Sequence, residues 1–174
     1  MTERHDATPA SGERPRLHSG GCQCGAVRYA LYAPPDGAHL CHCRMCQKAV
    51  GGPFAALAGV DLADFAWTRG EPAVFASSTA AIRHFCAACG TPLTFRYLDK
   101  GRISVTLGSL DHPEQVPPLA HYGAEGRLAW TKGLDALPAE TTATDRLPAG
   151  FASHQHPDHD TPAGWQPHAG TEPT

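Results

Sequence analysis

Residues 41–46 read CHCRMC, three thiols and one imidazole within six positions. Four more cysteines lie elsewhere, as Cys22 with Cys24 and Cys86 with Cys89. Seven is an odd number, so disulfide pairing leaves a sulfur over. The spacings CxC, CxCxxC and CxxC suit metal ligation. Zinc takes thiolate sulfurs about 2.3 Å away at the corners of a tetrahedron. A tight turn can aim two such sulfurs at one point. Gly25 and Gly90 follow the outer pairs and supply the backbone freedom a knuckle needs.

The count divides as four plus three. Cys22, Cys24, Cys86 and Cys89 can make a closed four-sulfur set, a structural site with no position left for substrate. Such a site would tie the start of the chain to its middle and contribute folding free energy. Cys41, Cys43 and Cys46 make a three-ligand set. Three protein ligands with an open fourth position are the arrangement of a catalytic zinc. Other readings stay open: His42 or another side chain can close the triplet, four thiolates also suit iron, and disulfides suit an exported chain.

The 174 residues carry a formal net charge of -3 with a pI near 6.4. That balance lacks the basic footprint of a nucleic-acid binder. No apolar run approaches the ~20 residues of a membrane helix. The opening MTERHDATPASGERPR is polar and lacks the apolar segment of a secretory signal. The expectation is a cytoplasmic protein with reduced thiols, partnered by neither nucleic acid nor membrane.

Residues 1–15 read as a disordered arm and 141–174 as a disordered Pro/His-rich tail. The tail histidines His154, His156, His159 and His168 have a spacing that suits loose metal binding, though biased composition explains them as well. Residues 16–140 read as one domain. Its strand signals are short: AVRYALY (26–32), FAALAGV (54–60), FAW and AVFA on either side of TRGEP, AIRHF (81–85), and LTFRY and RISVTL around the hairpin signal LDKG. Only RMCQKAV (44–50) reads as a helical turn. Phe54, Phe85 and Phe95 are expected in the β core, with Trp130 and LDALP (134–138) closing the module. The fold class expected is mostly β, short antiparallel strands with few short helical turns.

Taken in order, GGCQCGAVRY, CHCRMCQKAVGGPF, RHFCAACGTPLTF, SLDHPE and W..GLDALP resemble the glutathione-dependent formaldehyde-activating enzyme family, which shares its domain with the centromere protein V type. The resemblance runs over about residues 17–140. It implies a zinc-stabilised architecture similar to the Mss4-like fold. It implies two zinc ions per chain: a structural one at Cys22, Cys24, Cys86 and Cys89, and a second at Cys41, Cys43 and Cys46. It also implies carbon–sulfur lyase activity, the interconversion of S-hydroxymethylglutathione with glutathione and formaldehyde. The partner would then be a small thiol–aldehyde adduct such as that of glutathione. The alternative is a non-enzymatic zinc-binding module for partner interaction.

Under the lyase reading Cys41, Cys43 and Cys46 are the catalytic residues, as holders of the open metal. His42, His84 and His121 are candidates to move a proton, since imidazole titrates near neutrality. Each also has a plain structural or surface reading. Arg44, Lys48 and Arg83 stand near the clusters in sequence and are candidates to meet the carboxylates of glutathione. Solvated surface cations are the plain alternative for them.

Overall fold

A computed structural model describes residues 14–142 and 147–167. The expected N-terminal arm lies almost wholly outside the described residues, as does His168. Among the described residues ten strands form two sheets. The smaller holds β1 (His18–Gly21), β2 (Arg28–Leu31) and β5 (Phe65–Arg69) in that order. The larger contains β3 (Asp36–Cys41), β4 (Ala55–Asp61), β6 (Ala73–Ser78), β7 (Ala81–Phe85), β8 (Pro92–Tyr97), β9 (Arg102–Thr106) and β10 (Ala120–Tyr122). Its order is β10-β3-β4-β9-β8-β7-β6. Every neighbouring pair is antiparallel except β10 beside β3. Among the described residues the single α-helix, α1 (Arg44–Val50), covers the expected helical turn, and the other helical segments are 3-10 turns. The protein is mostly β with antiparallel sheets, as its short strands and Gly/Pro turns imply.

The β8–β9 hairpin around LDKG forms as expected, with Thr94 opposite Val105 and Phe95 opposite Ser104. FAW and AVFA part company. β5 pairs with β2 in the small sheet, while β6 pairs with β7 at the edge of the large one. The TRGEP turn therefore carries the chain between sheets instead of closing a hairpin.

The main core lies where the two sheets meet. Tyr29 and Leu31 from β2 and Phe65 from β5 pack with Val60 of β4, Leu93 of β8 and Val105 of β9. Strand β9 alternates, turning Ile103 and Val105 inward and Arg102 outward, the pattern of a strand with one buried face. Strand β2 is buried along its whole length because it is the central strand of its sheet and lies under the larger one. Tyr29 stacks on Phe65 at 5.5 Å between ring centroids, and Trp67 closes edge-on against both.

These aromatics replace the expected ones. Phe54, Phe85 and Phe95 are only half-buried, and Phe95 lies beneath the Arg83 guanidinium at 4.9 Å. Trp130, expected to close the module, is 58% exposed, and Leu134 and Leu137 are exposed with it. Strand length does not reveal which face of a strand meets the second sheet, and that decides which aromatics are buried.

One buried ion pair ties β2 to the segment that follows β9. The Arg28 guanidinium grips the Asp111 carboxylate with two parallel hydrogen bonds of 2.7 and 2.5 Å, and both side chains are buried. Ser19 also donates to Asp111, and Tyr29 meets Ser109 at 2.8 Å. Burial pushes the Asp111 carboxyl up, but Arg28 and Ser19 outweigh it and hold it below its ordinary value.

Part of the expected disordered tail docks on the domain. His156 is buried, and its backbone N–H donates to Gln23 O at 2.7 Å. Asp160 meets Arg28 at 3.1 Å and Arg16 at 2.7 Å. Arg69 donates to Thr161 O at 2.8 Å and stacks over Trp165. A few spaced anchors hold the segment down where average composition suggests a free chain.

Candidate metal centres

The outer cysteine pairs sit on two matching turns. The first joins β1 to β2: Cys22 O accepts from Gly25 N–H at 2.9 Å, and Cys22 N–H donates to Val27 O. The second joins β7 to β8: Cys86 O accepts from Gly90 N–H at 2.9 Å, and Cys86 N–H donates to Thr91 O. Gly25 and Gly90 adopt φ of 73 and 76°, a left-handed conformation that L side chains rarely reach. At Gly25 any side chain would also collide, since a Cβ there would lie 2.2 Å from the His156 ring.

The turns face each other, with Gln23 N–H donating to Thr91 Oγ1 at 3.0 Å. The sulfurs of Cys22, Cys24, Cys86 and Cys89 all fall within 4.8 Å of one another. Neighbouring sulfurs stand 3.6 Å (Cys22 to Cys24) and 3.8 Å (Cys24 to Cys86) apart. A tetrahedron of thiolates around zinc has edges of about 3.8 Å, given zinc–sulfur bonds near 2.3 Å. A disulfide needs about 2.05 Å, and all seven cysteines are free thiols.

Cys41, Cys43 and Cys46 form the second cluster, again within 4.8 Å, with Cys41 and Cys43 sulfurs 3.5 Å apart. Strand β3 delivers Cys41, and α1 begins straight after Cys43. The Cys43 sulfur caps the helix by accepting from Cys46 N–H at 3.4 Å. Gly51 ends the helix in a left-handed turn. Among the described residues no His, Asp, Glu or fourth Cys joins these three sulfurs. His42, a candidate to close the set, instead pairs its Nε2 with His121 Nδ1 at 2.8 Å and packs edge-on against Phe54.

The thiols titrate in a way that favours a cation. Burial pushes the Cys41 thiol up to about 12, with its cysteine neighbours adding to the rise, and burial raises Cys22 strongly too. Burial also opposes ionisation of Cys89, but the Thr91 hydroxyl and backbone N–H hold it down to about 6. Burial opposes ionisation of Cys43 too, but the Cys46 backbone N–H and the neighbouring thiols hold it below its ordinary value, whereas Cys22 and Cys41 resist adding charge. A divalent ion removes that resistance. Both donor sets fit such an ion, and sequence spacing had grouped them identically.

The expected cations also converge. A cleft of about 510 Å³ runs between α1 and strands β6, β7 and β8, and Arg44, Lys48, Arg83 and His84 line it. Arg83 reaches the second cluster, donating to Cys46 Sγ at 3.3 Å. His84 contacts Thr94 Oγ1 through Nδ1, and burial with Arg96 holds its ring below the usual histidine range. His42 and His121 form their own pair.

Two contacts at the clusters escaped sequence reasoning, although Gln47 itself directly follows the triplet. Thr91 contacts the Cys89 sulfur at 3.2 Å, and its place two residues after that cysteine was the available signal. Gln47 donates its side-chain amide to His42 O at 2.9 Å and Gly126 O at 3.0 Å, pinning the β10 loop to the CHCRMC stretch. No sequence signal marked that second contact, which spans 79 residues.

A mostly antiparallel β fold with two thiol clusters able to hold metal ions defines a small cysteine-rich metal-site module. The chain belongs to the glutathione-dependent formaldehyde-activating enzyme family, whose profile matches residues 17–125. It is 31% identical over 85 residues to a Halomonas elongata protein provisionally named as a glutathione-dependent formaldehyde-activating enzyme, covering 44% of this chain and 54% of that one. It is 32% identical over 88 residues to an uncharacterised lyase of Schizosaccharomyces pombe, covering 46% and 58%. The chain thus spans about half the length of the curated relatives it matches. A Rhodobacter sphaeroides crystal structure is 24% identical with a TM-score of 0.49, covering 59% of this chain and 98% of that one. No helix among the described residues is long and apolar enough to cross a membrane.

Proposed function

We propose that this chain is a zinc-dependent carbon–sulfur lyase acting on a thiol–aldehyde adduct of the S-hydroxymethylglutathione type. The observation that carries this reading is the cation-lined cleft that meets the three-thiol cluster through Arg83 and Cys46. Cys22, Cys24, Cys86 and Cys89 would hold one zinc for folding, and Cys41, Cys43 and Cys46 a second. Zinc with an open position stabilises a bound thiolate or polarises an oxygen.

The chain's own residues supply the rest. Arg44, Lys48 and Arg83 attract the two carboxylates of a glutathione-like thiol, and no Asp or Glu in the cleft lining competes. His84, held largely neutral, can take the adduct's hydroxyl proton at Nε2, the ring nitrogen not engaged by Thr94. The carbon–sulfur bond then breaks, its electron pair stays on sulfur, and the carbon becomes an aldehyde. The proton returns to the sulfur to give the free thiol. The reading places the chain in a reducing compartment such as the cytoplasm, where its thiols stay available.

Zinc-loaded protein, with two zinc per chain, is expected to accelerate the exchange between glutathione plus formaldehyde and their adduct. A rate equal to the uncatalysed one across several thiols rejects the lyase reading.

A further inference from the structure

The cleft lining is of two kinds. Arg44, Lys48 and Arg83 supply cations, and Met45, Val50, Phe75 and Pro92 supply apolar surface, with Phe75 opposite Arg83 in the β6–β7 pairing. A second hollow of about 270 Å³ continues the apolar side, sharing Val50 and Pro92 and adding Phe54 and Ala56. Met45 and Phe75 are 50% and 60% exposed although both are large and apolar. Such side chains grouped around a concave surface mark a binding site more than scattered surface residues do.

A glutathione adduct of formaldehyde satisfies the cations and leaves the apolar lining bare. Its tripeptide is polar, and formaldehyde contributes a single carbon. We propose that the adduct this site takes carries an apolar substituent on its aldehyde-derived carbon, an S-(1-hydroxyalkyl) or S-(1-hydroxyarylmethyl) thiol. The proposal rests on the lyase reading for its chemistry and deepens it by naming the substrate class. The step balances without an oxidant: RCH(OH)–SR′ gives RCHO and R′SH. The carbon–sulfur bond breaks, the carbon–oxygen double bond forms, and the hydroxyl proton ends on sulfur. Charge complementarity selects an anionic thiol portion, and the wall of Met45, Val50 and Phe75 selects the substituent.

Two measurements on the zinc-loaded chain test this. Calorimetric binding of S-methyl, S-butyl and S-hexyl glutathione reads the apolar lining without turnover. Each seated methylene is expected to tighten binding roughly two- to fourfold, so S-hexyl, five methylenes longer, should bind at least about 30-fold more tightly than S-methyl. Phe75→Ala, on the exposed face of an edge strand, should flatten the series. Turnover with formaldehyde, butanal and benzaldehyde adducts should show kcat/KM rising with substituent size, and the Phe75→Ala change should lower that ratio. Equal affinity across the series overturns the proposal, even if the formaldehyde adduct turns over, and the lyase reading then stands alone. A rising affinity series with no turnover of any adduct keeps the apolar subsite and sinks the lyase reading. A flat series without turnover removes both.

Discussion

The two cysteine clusters use the same ligand atoms and are built into the protein differently. The four-thiol cluster is set in the main core: Cys22 and Cys86 are almost fully buried there, with Cys24 and Cys89 packed against it. It joins a turn of the small sheet to a turn of the large one, and the docked tail covers its first turn. The three-thiol cluster belongs to a separate small group with Ala55, Leu57 and Val50, drawn from β3, α1 and β4 alone. It ties nothing across the sheets. A metal that closes distant chain segments contributes to folding, whereas one held by adjacent segments can be left coordinatively open without endangering the fold.

The largest stability loss should come from Cys86→Ser, which breaks the closed set and forfeits a large share of the about 10–16 kcal/mol a structural zinc brings. Circular dichroism should show a largely unfolded chain; a native spectrum with an unchanged melting temperature would erase the contrast between the clusters. Arg28→Met comes next. It strands the Asp111 carboxylate in a buried setting, at about 3–5 kcal/mol. Adding Asp111→Leu should restore much of that loss in urea unfolding, because the uncompensated charge is then gone.

The same pair has a pH signature. Burial pushes the Asp111 carboxyl up in the folded state, but Arg28 and Ser19, with His156 nearby, outweigh it and hold it below its ordinary value. A depressed carboxylate contributes stability above its unfolded pKa near ~4 and loses it as the pH falls through the lower folded value. Below about pH 4 the parent should therefore lose stability more steeply than the Arg28→Met/Asp111→Leu double variant; parallel slopes would remove the linkage.

Trp165→Ala should cost about 1–2 kcal/mol by freeing the tail from Arg69 and Gly25. A melting shift of only a few degrees is expected, with the zinc count unchanged. The smallest effect on stability, under about 1 kcal/mol, is expected from Cys43→Ser. It should still lower zinc from two per chain to one and abolish turnover. If this variant unfolds as completely as Cys86→Ser, the two clusters share one role.

The site was more legible than the fold around it. Metal-ligand geometry is set over two or three residues, so CxC, CxCxxC and CxxC could be read as local turns before any tertiary contact was known. The helix at 44–50 and the hairpin around LDKG were readable for the same reason. Partnerships between distant segments were not. FAW and AVFA look like one unit yet serve different sheets, and Arg28 gives no sign of the Asp111 it meets 83 residues later. The docked tail was hidden as well, because His156, Asp160 and Trp165 are sparse within a polar stretch.

By itself the sequence determined the mostly β class, the four-plus-three division of the thiols and the cations that accompany them. These depend on short-range spacing and on the chemistry of single residue types. Only the tertiary structure decided which aromatics fill the core, that Arg83 reaches Cys46, and that the cleft beside it joins apolar surface to its cations. Those depend on which faces of separate strands meet, and that is settled by packing two sheets together.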